Sequence, residues 1–130
     1  MPDPGAAADD TIALNAREAA EVTGGHWSNL DDPEMTFTGV TLGGEVRPGE
    51  LCVTQNSAQW GKAVPDTEPR IDAFHQRGAV AFVVREGSGL TTPLPLLRVA
   101  DTREALRRLA EENRRRTGAR RVLVTGTEGK

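Results

Sequence analysis

The chain has 130 residues, 37% hydrophobic and 27% charged, with a formal net charge of -3. This size and composition fit one globular domain and hardly accommodate a two-domain enzyme. A chain of this length buries roughly two thirds of its unfolded surface, enough to hold a core without disulfides or a structural metal. The longest apolar stretch, residues 78–84, is far short of the roughly 20 residues that cross a bilayer, and the acidic start MPDPGAAADD has no apolar signal core. These features argue against a membrane span and a secretory signal and imply a cytoplasmic protein.

Residues 1–10 hold two Pro, three Asp and four small residues, the composition of a disordered leader. Residues 11–14, Thr-Ile-Ala-Leu, read as a short edge strand. Asn15 with Glu18 three residues on has the spacing of a capping box, so a short helix follows, with Ala19, Ala20 and Val22 on its apolar face. Thr23-Gly24-Gly25 stops it, because Gly takes the left-handed conformation of a C-terminal cap. The chain is then released into His26-Trp27-Ser28. After the turn signal Asp31-Asp32-Pro33, a β-prone run predicts a strand at 36–41, broken by Gly39 and Gly43-Gly44.

Arg47-Pro48-Gly49-Glu50 is a tight turn, Pro fixing φ at its first central position and Gly free at its second, and it delivers a strand at 51–54. Cys52, the one cysteine, lies in the apolar run Leu51-Cys52-Val53 and reads as a small buried hydrophobe. Residues 55–67 are polar, without periodicity and long for a connection, which favours a binding loop. Pro69 suits the first turn of a helix carrying Ile71, Ala73 and Phe74 and ending at Gly78. The unbroken apolar run at 79–84 predicts a strand covered on both faces.

A strand at 96–99 precedes Asp101, which with Glu104 forms a second capping box. The longest helix starts there, with Ala105, Leu106, Leu109, Ala110 and Asn113 on one face and Gly118 as its stop. A last strand occupies 121–125. The alternation of strands and helices makes this an α/β fold, a small mixed-sheet domain with flanking helices.

Charge is uneven: residues 1–50 carry ten acids and two bases, residues 101–130 nine bases and five acids. The eight Arg between 103 and 121 raise the question of nucleic acid. Glu104, Glu111 and Glu112 alternate with them at helical spacing and no aromatics are interleaved, so a solvated helix face is the reading and no nucleic-acid partner is expected. His26, His75 and Cys52 are isolated, without metal-ligand spacing, so no metal site is expected. Ser57, His75 and Asp72 have the residue types of a hydrolase triad, but nothing local in the sequence joins them.

The most specific segment is 122–130, Val-Leu-Val-Thr-Gly-Thr-Glu-Gly-Lys, an apolar strand running into a Gly-rich loop with a lysine. Such loops hold phosphates through inward-pointing backbone N–H groups, a lysine charge and the start of the next helix. The Ser or Thr that would ligate magnesium, and that helix, lie beyond Lys130, so this chain by itself is expected to hold no ATP. A plain C-terminal turn is the other reading of these residues.

From residue 11 to 130 the chain resembles the N-terminal domain of the Mur ligases, most of all the branch that adds D-alanyl-D-alanine to the UDP-muramoyl tripeptide. The resemblance rests on Ala16-Arg17-Glu18-Ala19-Ala20 running into Val22-Thr23-Gly24-Gly25, on Phe37-Thr38-Gly39-Val40 and on Val46-Arg47-Pro48-Gly49-Glu50-Leu51-Cys52-Val53. It continues through Arg77-Gly78-Ala79-Val80-Ala81 and Val99-Ala100-Asp101-Thr102 to the closing Thr-Gly-Thr-Glu-Gly-Lys. It implies a three-domain ligase. The first domain, here 11–120, grips the nucleotide end of the substrate; the second, opened by 121–130, uses ATP and magnesium to activate a carboxylate as acyl phosphate; the third brings the incoming amine. In that frame Gly126, Thr127, Gly129 and Lys130 bind ATP phosphates, and this chain alone contains no catalytic residue.

Two segments depart from the family. Its Asp-Ser-Arg or Asp-Thr-Arg stretch, which helps hold uridine diphosphate, is replaced by Gly39-Val40-Thr41-Leu42-Gly43-Gly44-Glu45. Its Asp-Gly-His or Asp-Ala-His segment gives way to Gln55-Asn56-Ser57-Ala58-Gln59-Trp60-Gly61-Lys62. The substrate-contact candidates are therefore Thr41, Leu42, Gly43 and Gly44 on the first, and Asn56, Ser57, Gln59, Trp60 and Lys62 on the second. They supply backbone access, hydrogen bonds, a stacking face and a cation for a small polar substrate, either a UDP-muramoyl peptide or another acyl carrier. A free-standing binding module of the same fold is the alternative.

Overall fold

The computed structural model describes residues 14–42 and 45–117. The leader, most of the strand expected at 11–14, Gly43, Gly44, the helix stop at Gly118, the last strand and Gly126, Thr127, Gly129 and Lys130 lie outside the described residues.

Helix α1, Ala16–Thr23, forms as its sequence dictates. The Asn15 side chain accepts from the Glu18 amide at 2.8 Å, and the Glu18 carboxylate accepts from the Asn15 amide at 3.1 Å, so two of the helix's orphan donors are satisfied. Gly24 ends it at φ 76°, its N–H donating to the Ala20 carbonyl at 2.9 Å. Ahead of the helix, Leu14 is buried and Asn15 makes an isolated antiparallel bridge to Thr36.

His26–Ser28 is strand β1, which the sequence pattern marks only as a connecting segment. The strand expected at 36–41 narrows to β2, Val40–Thr41. Residues 36–39 instead run between two neighbours. Ala16 N–H donates to the Met35 carbonyl at 2.8 Å and Thr38 N–H to the Gly49 carbonyl at 3.0 Å, so they join no continuous ladder. Phe37 drops into the core and stacks on Trp27, ring centroids 6.3 Å apart.

The 47–50 turn delivers β3, Leu51–Val53. After it, the polar loop contains a single-turn helix, α2, Ser57–Trp60. The helix expected from Pro69 splits into a 3-10 turn, Glu68–Arg70, and α3, Ile71–Gln76. Strand β4 is Ala81–Arg85, two residues later than the apolar run suggests at its start, because Ala79 N–H still closes onto Phe74 and Val80 N–H bonds the Glu50 carbonyl. A 3-10 turn at Glu86–Ser88 leads to β5, Leu96–Val99, and α4, Thr102–Thr117.

These strands make one mixed sheet in the order β1-β5-β4-β3-β2, with β2 to β5 parallel and β1 antiparallel to β5. Alternate residues of each strand point to opposite faces. Leu51, Val53, Ala81, Val83, Leu97 and Val99 pack under α1 and α4 against Ala16, Ala19, Ala105, Leu106 and Leu109. Cys52, Phe82, Val84 and Leu96 face the other way, onto Ile71 and Phe74 of α3. The expectation of a strand covered on both faces holds for β4, which is central and fully buried from Ala81 to Val84. Each large apolar side chain so placed stabilises the fold by roughly 1.5–3 kcal/mol relative to exposure. Cys52 is a core residue, and burial first, then the Glu50 charge, pushes its thiol up to about 12.

One backbone contact locks the amino ends of the strands. Gly49 N–H donates to the Gly78 carbonyl at 2.9 Å. Gly78 sits at φ 124°, where a Cβ would lie 2.7 Å from the Pro48 Cα. Replacing Gly78→Ala therefore adds both a positive-φ strain and a collision with backbone. A loss of about 2 kcal/mol is expected, read as a lower urea midpoint at unchanged slope; an unchanged midpoint would contradict this packing.

Candidate functional site

Parallel strands of an open α/β sheet end on a common edge, and ligands of such sheets sit outside those carboxyl ends. Here that edge is formed by Leu42 after β2, residues 54–56 after β3, Glu86 after β4 and residues 100–102 after β5. The described residues Thr41 and Leu42 of the first segment singled out by the sequence, and the second segment, lie at it.

On the first, the Thr41 side chain is fully buried and Leu42 packs partly on the core; Gly43 and Gly44 lie outside the described residues. The second is a compact loop rather than an unstructured one. Its base is closed by Gln55 and Thr67, with Thr67 N–H donating to the Gln55 carbonyl at 2.9 Å and Gln55 N–H to the Thr67 hydroxyl at 2.8 Å. Asn56, 2% exposed, caps α2 by accepting from the Gln59 amide at 2.9 Å. The Asn56–Gln59 spacing is a helix-start signal that was readable in the sequence.

The polar side chains of α2 turn toward Thr102, the first residue of α4. Gln59 Nε2 donates to the Ala100 carbonyl at 2.7 Å, while its Oε1 accepts from the Thr102 amide at 3.0 Å and hydroxyl at 3.1 Å. Trp60 Nε1 donates to the Thr102 hydroxyl at 2.8 Å, and Asn56 Nδ2 approaches the same oxygen at 3.5 Å. Trp60 also packs on the core beneath it, and the Arg103 guanidinium lies 6.0 Å from its ring centre. Thus Asn56, Gln59 and Trp60 carry hydrogen bonds inside the domain. Ser57 and Lys62 are exposed on the loop, the Ser57 amide being held by the Asp66 carboxylate at 2.7 Å.

A further charged pair at this edge escapes sequence reading. Glu68, 6% exposed, accepts from Arg85 Nε at 2.8 Å at the end of β4. Nothing in the local pattern around either residue announces it. Ser57, His75 and Asp72 are not brought together. Ser57 is on the carboxyl edge, whereas His75 ends α3, which leads into the amino end of β4, and its Nδ1 lies 2.8 Å from the Ala79 carbonyl. Among the described residues no three His, Cys, Asp or Glu side chains cluster as a metal-binding group, and no helix is long and apolar enough to cross a membrane.

Four of the six arginines of α4, Arg107, Arg108, Arg115 and Arg116, are paired with glutamates of their own helix. Glu104 accepts from Arg107 at 2.6 Å and Arg108 at 3.1 Å, and Arg107 reaches Glu111 at 3.0 Å. Glu112 accepts from Arg115 and Arg116, and Arg116 continues to Glu18 on α1 at 3.1 Å. Of the second capping box one half is seen: Asp101 accepts from the Glu104 amide at 3.0 Å, while the Glu104 carboxylate turns to Arg107 and Arg108. The hydrogen bonds from Arg107 and Arg108 hold the Glu104 carboxyl down at about 2, and those from Arg116 and Arg115 lower Glu112. A depressed carboxylate adds stability above its ordinary value and loses it as pH falls through the folded value. The melting temperature should therefore decline from about pH 4.5 toward pH 2, and less steeply in Glu104→Gln; identical slopes would contradict the pairing.

No family model matches the sequence, and no curated protein matches it. Solved structures do. The chain is similar to the UDP-N-acetylmuramoylalanyl-D-glutamyl-2,6-diaminopimelate–D-alanyl-D-alanyl ligase of Acinetobacter baumannii, with 20% identity and a TM-score of 0.63 over 85% of this chain and 23% of that one. Two crystal structures of MurF from the same organism give TM-scores of 0.64, at 19% identity over 82% of this chain and 22% of theirs, and at 20% over 85% and 23%. The chain thus has the fold of a Mur ligase N-terminal-like domain and spans under a quarter of the length of these proteins.

Proposed function

We propose that this chain is the substrate-recognition domain of a Mur-type ATP-dependent ligase that forms an amide or peptide bond. The fold it shares with MurF over 82–85% of its length carries the reading. Two features support it. The polar loop 55–67 lies on the carboxyl edge, where α/β sheets receive ligands, and the sequence ends in Gly-Thr-Glu-Gly-Lys. In the parent protein Gly126, Thr127, Gly129 and Lys130 would hold the phosphates of ATP, with magnesium, by backbone N–H groups and one lysine charge.

Within the loop, Ser57, Lys62 and Asp66 are the exposed polar side chains, Asp66 holding the Ser57 amide, while Asn56, Gln59 and Trp60 set the loop's shape. A lysine there suits a phosphate or carboxylate. The ligand is a UDP-muramoyl peptide or another anionic acyl carrier. The absence of the Asp and Arg that relatives carry in the 39–45 segment favours a second reading, a free-standing binding module that has given up both uridine recognition and ATP chemistry.

Calorimetric titration with a UDP-muramoyl tripeptide, and with the same peptide lacking the nucleotide, separates the two. Recognition of the nucleotide end predicts saturable binding only of the first, weakened about tenfold in Lys62→Ala, a loss of roughly 1.4 kcal/mol. Binding of neither compound, or equal binding of both, would contradict nucleotide recognition. In the complete protein Lys130→Ala should abolish ligation while leaving this binding intact, and retained turnover would remove the lysine's assignment.

A further inference from the structure

We propose that Gln59 and Thr102 form a two-way latch that makes loop 55–67 and the first turn of α4 one cooperative unit. A ligand loading the loop at the carboxyl edge then also tightens the helix that precedes residues 118–130. The coupling is the same whichever ligand the loop takes.

The geometry of the latch is reciprocal. The first amides of any helix have no intrahelical carbonyl to bond, and α4 satisfies its foremost one outside itself, Thr102 N–H donating to Gln59 Oε1 at 3.0 Å. The loop, for its part, has the Gln59 side-chain amide tied to Ala100, just after β5, and to Thr102 of α4. Thr102 is fully buried, and its hydroxyl donates to Gln59 while accepting from Trp60 and, at longer range, Asn56. That fills its one donor and two acceptor positions. Removing the Thr102 hydroxyl leaves the Trp60 Nε1 donor without its partner, which costs more than the bond itself contributes, and Gln59 Oε1, which also accepts from Asn56 Nδ2 at 3.1 Å, ties Asn56 into the same cluster. The members of the cluster therefore support one another.

The loop is also built to move as one body. Its base is clamped by the paired Gln55 and Thr67, and its α2 amide Ser57 is held across the loop by Asp66. Of its exposed polar groups, Ser57 opens the helix that carries Gln59 and Trp60, and Lys62 follows that helix by two residues. A contact at Ser57 is within one helical turn of the latch. Coupling free energy is symmetric, so what stiffens the loop must stiffen the first turn of α4, and the reverse.

Hydrogen–deuterium exchange of the full chain tests this. Thr102→Val, which removes the hydroxyl and keeps the branched side chain, should speed exchange across residues 55–67 about tenfold while β3, β4 and β5 stay protected. Gln59→Ala should speed exchange at residues 102–105 by a similar factor, and the double variant should be no looser than the looser single one. Thr102→Ser, which keeps the hydroxyl, should restore wild-type protection. An effect confined to the mutated element, additive effects in the double variant, or a Ser variant as loose as the Val variant would each overturn the latch. Should Thr102→Val fail to fold, Gln59→Ala reads the same coupling from the loop side.

Discussion

Burial of β4 on both faces sets the terms for the rest of the domain. Its side chains from Ala81 to Val84 are completely covered, and a strand with apolar residues on both sides needs a layer on each. The longer layer, α1 with α4, covers Ala81 and Val83; the shorter, α3, covers Phe82 and Val84. Parallel pairing of β4 with both β3 and β5 then forces every connection to return across the sheet, so the carboxyl ends of all four parallel strands fall on one edge. The candidate site is a consequence of that topology before any side chain is considered.

At that edge the domain builds a buried polar cluster rather than an open cleft. Thr102 stands at its centre and gathers groups from a loop more than forty residues earlier. Hydrophobic packing tells the loop to sit near α4, since Trp60 lies on the core, but packing alone does not define its rotation. Directional bonds to Thr102 do. At the far end of α4, Arg116 joins Glu112 of its own helix to Glu18 of α1.

Much of the fold was legible because the deciding signals are local. The Asn15 box, the Gly24 stop, the 47–50 turn and the apolar runs of β3, β4 and β5 each act within a few residues. Strand β1 was not legible: His26–Ser28 is half exposed, and its partner β5 lies some seventy residues on. The segment 36–39 has β-prone residues but meets a helix end and a turn in place of a ladder. For the site, residue types and location were readable, and partners were not. Asn56, Gln59 and Trp60 are polar in sequence for a reason, yet the partner that uses them, Thr102, is known only once the chain has folded. Their chemistry is spent on shape, which leaves Ser57, Lys62 and Asp66 as the loop's exposed polar side chains. The Glu68–Arg85 pair was equally non-local.

Under the proposed function this domain presents a substrate and leaves its transformation to other domains. It matches less than a quarter of the length of each MurF chain that shares its fold, so a ligase built on it needs a much longer polypeptide. The most direct test is the intact mass of the protein as its native host produces it. A substrate-recognition domain of a Mur-type ligase predicts a mass well above the 13.9 kDa of these 130 residues, with ATP-dependent ligase activity in the larger species. A native protein of 13.9 kDa would contradict that role and make the chain a binding module in its own right.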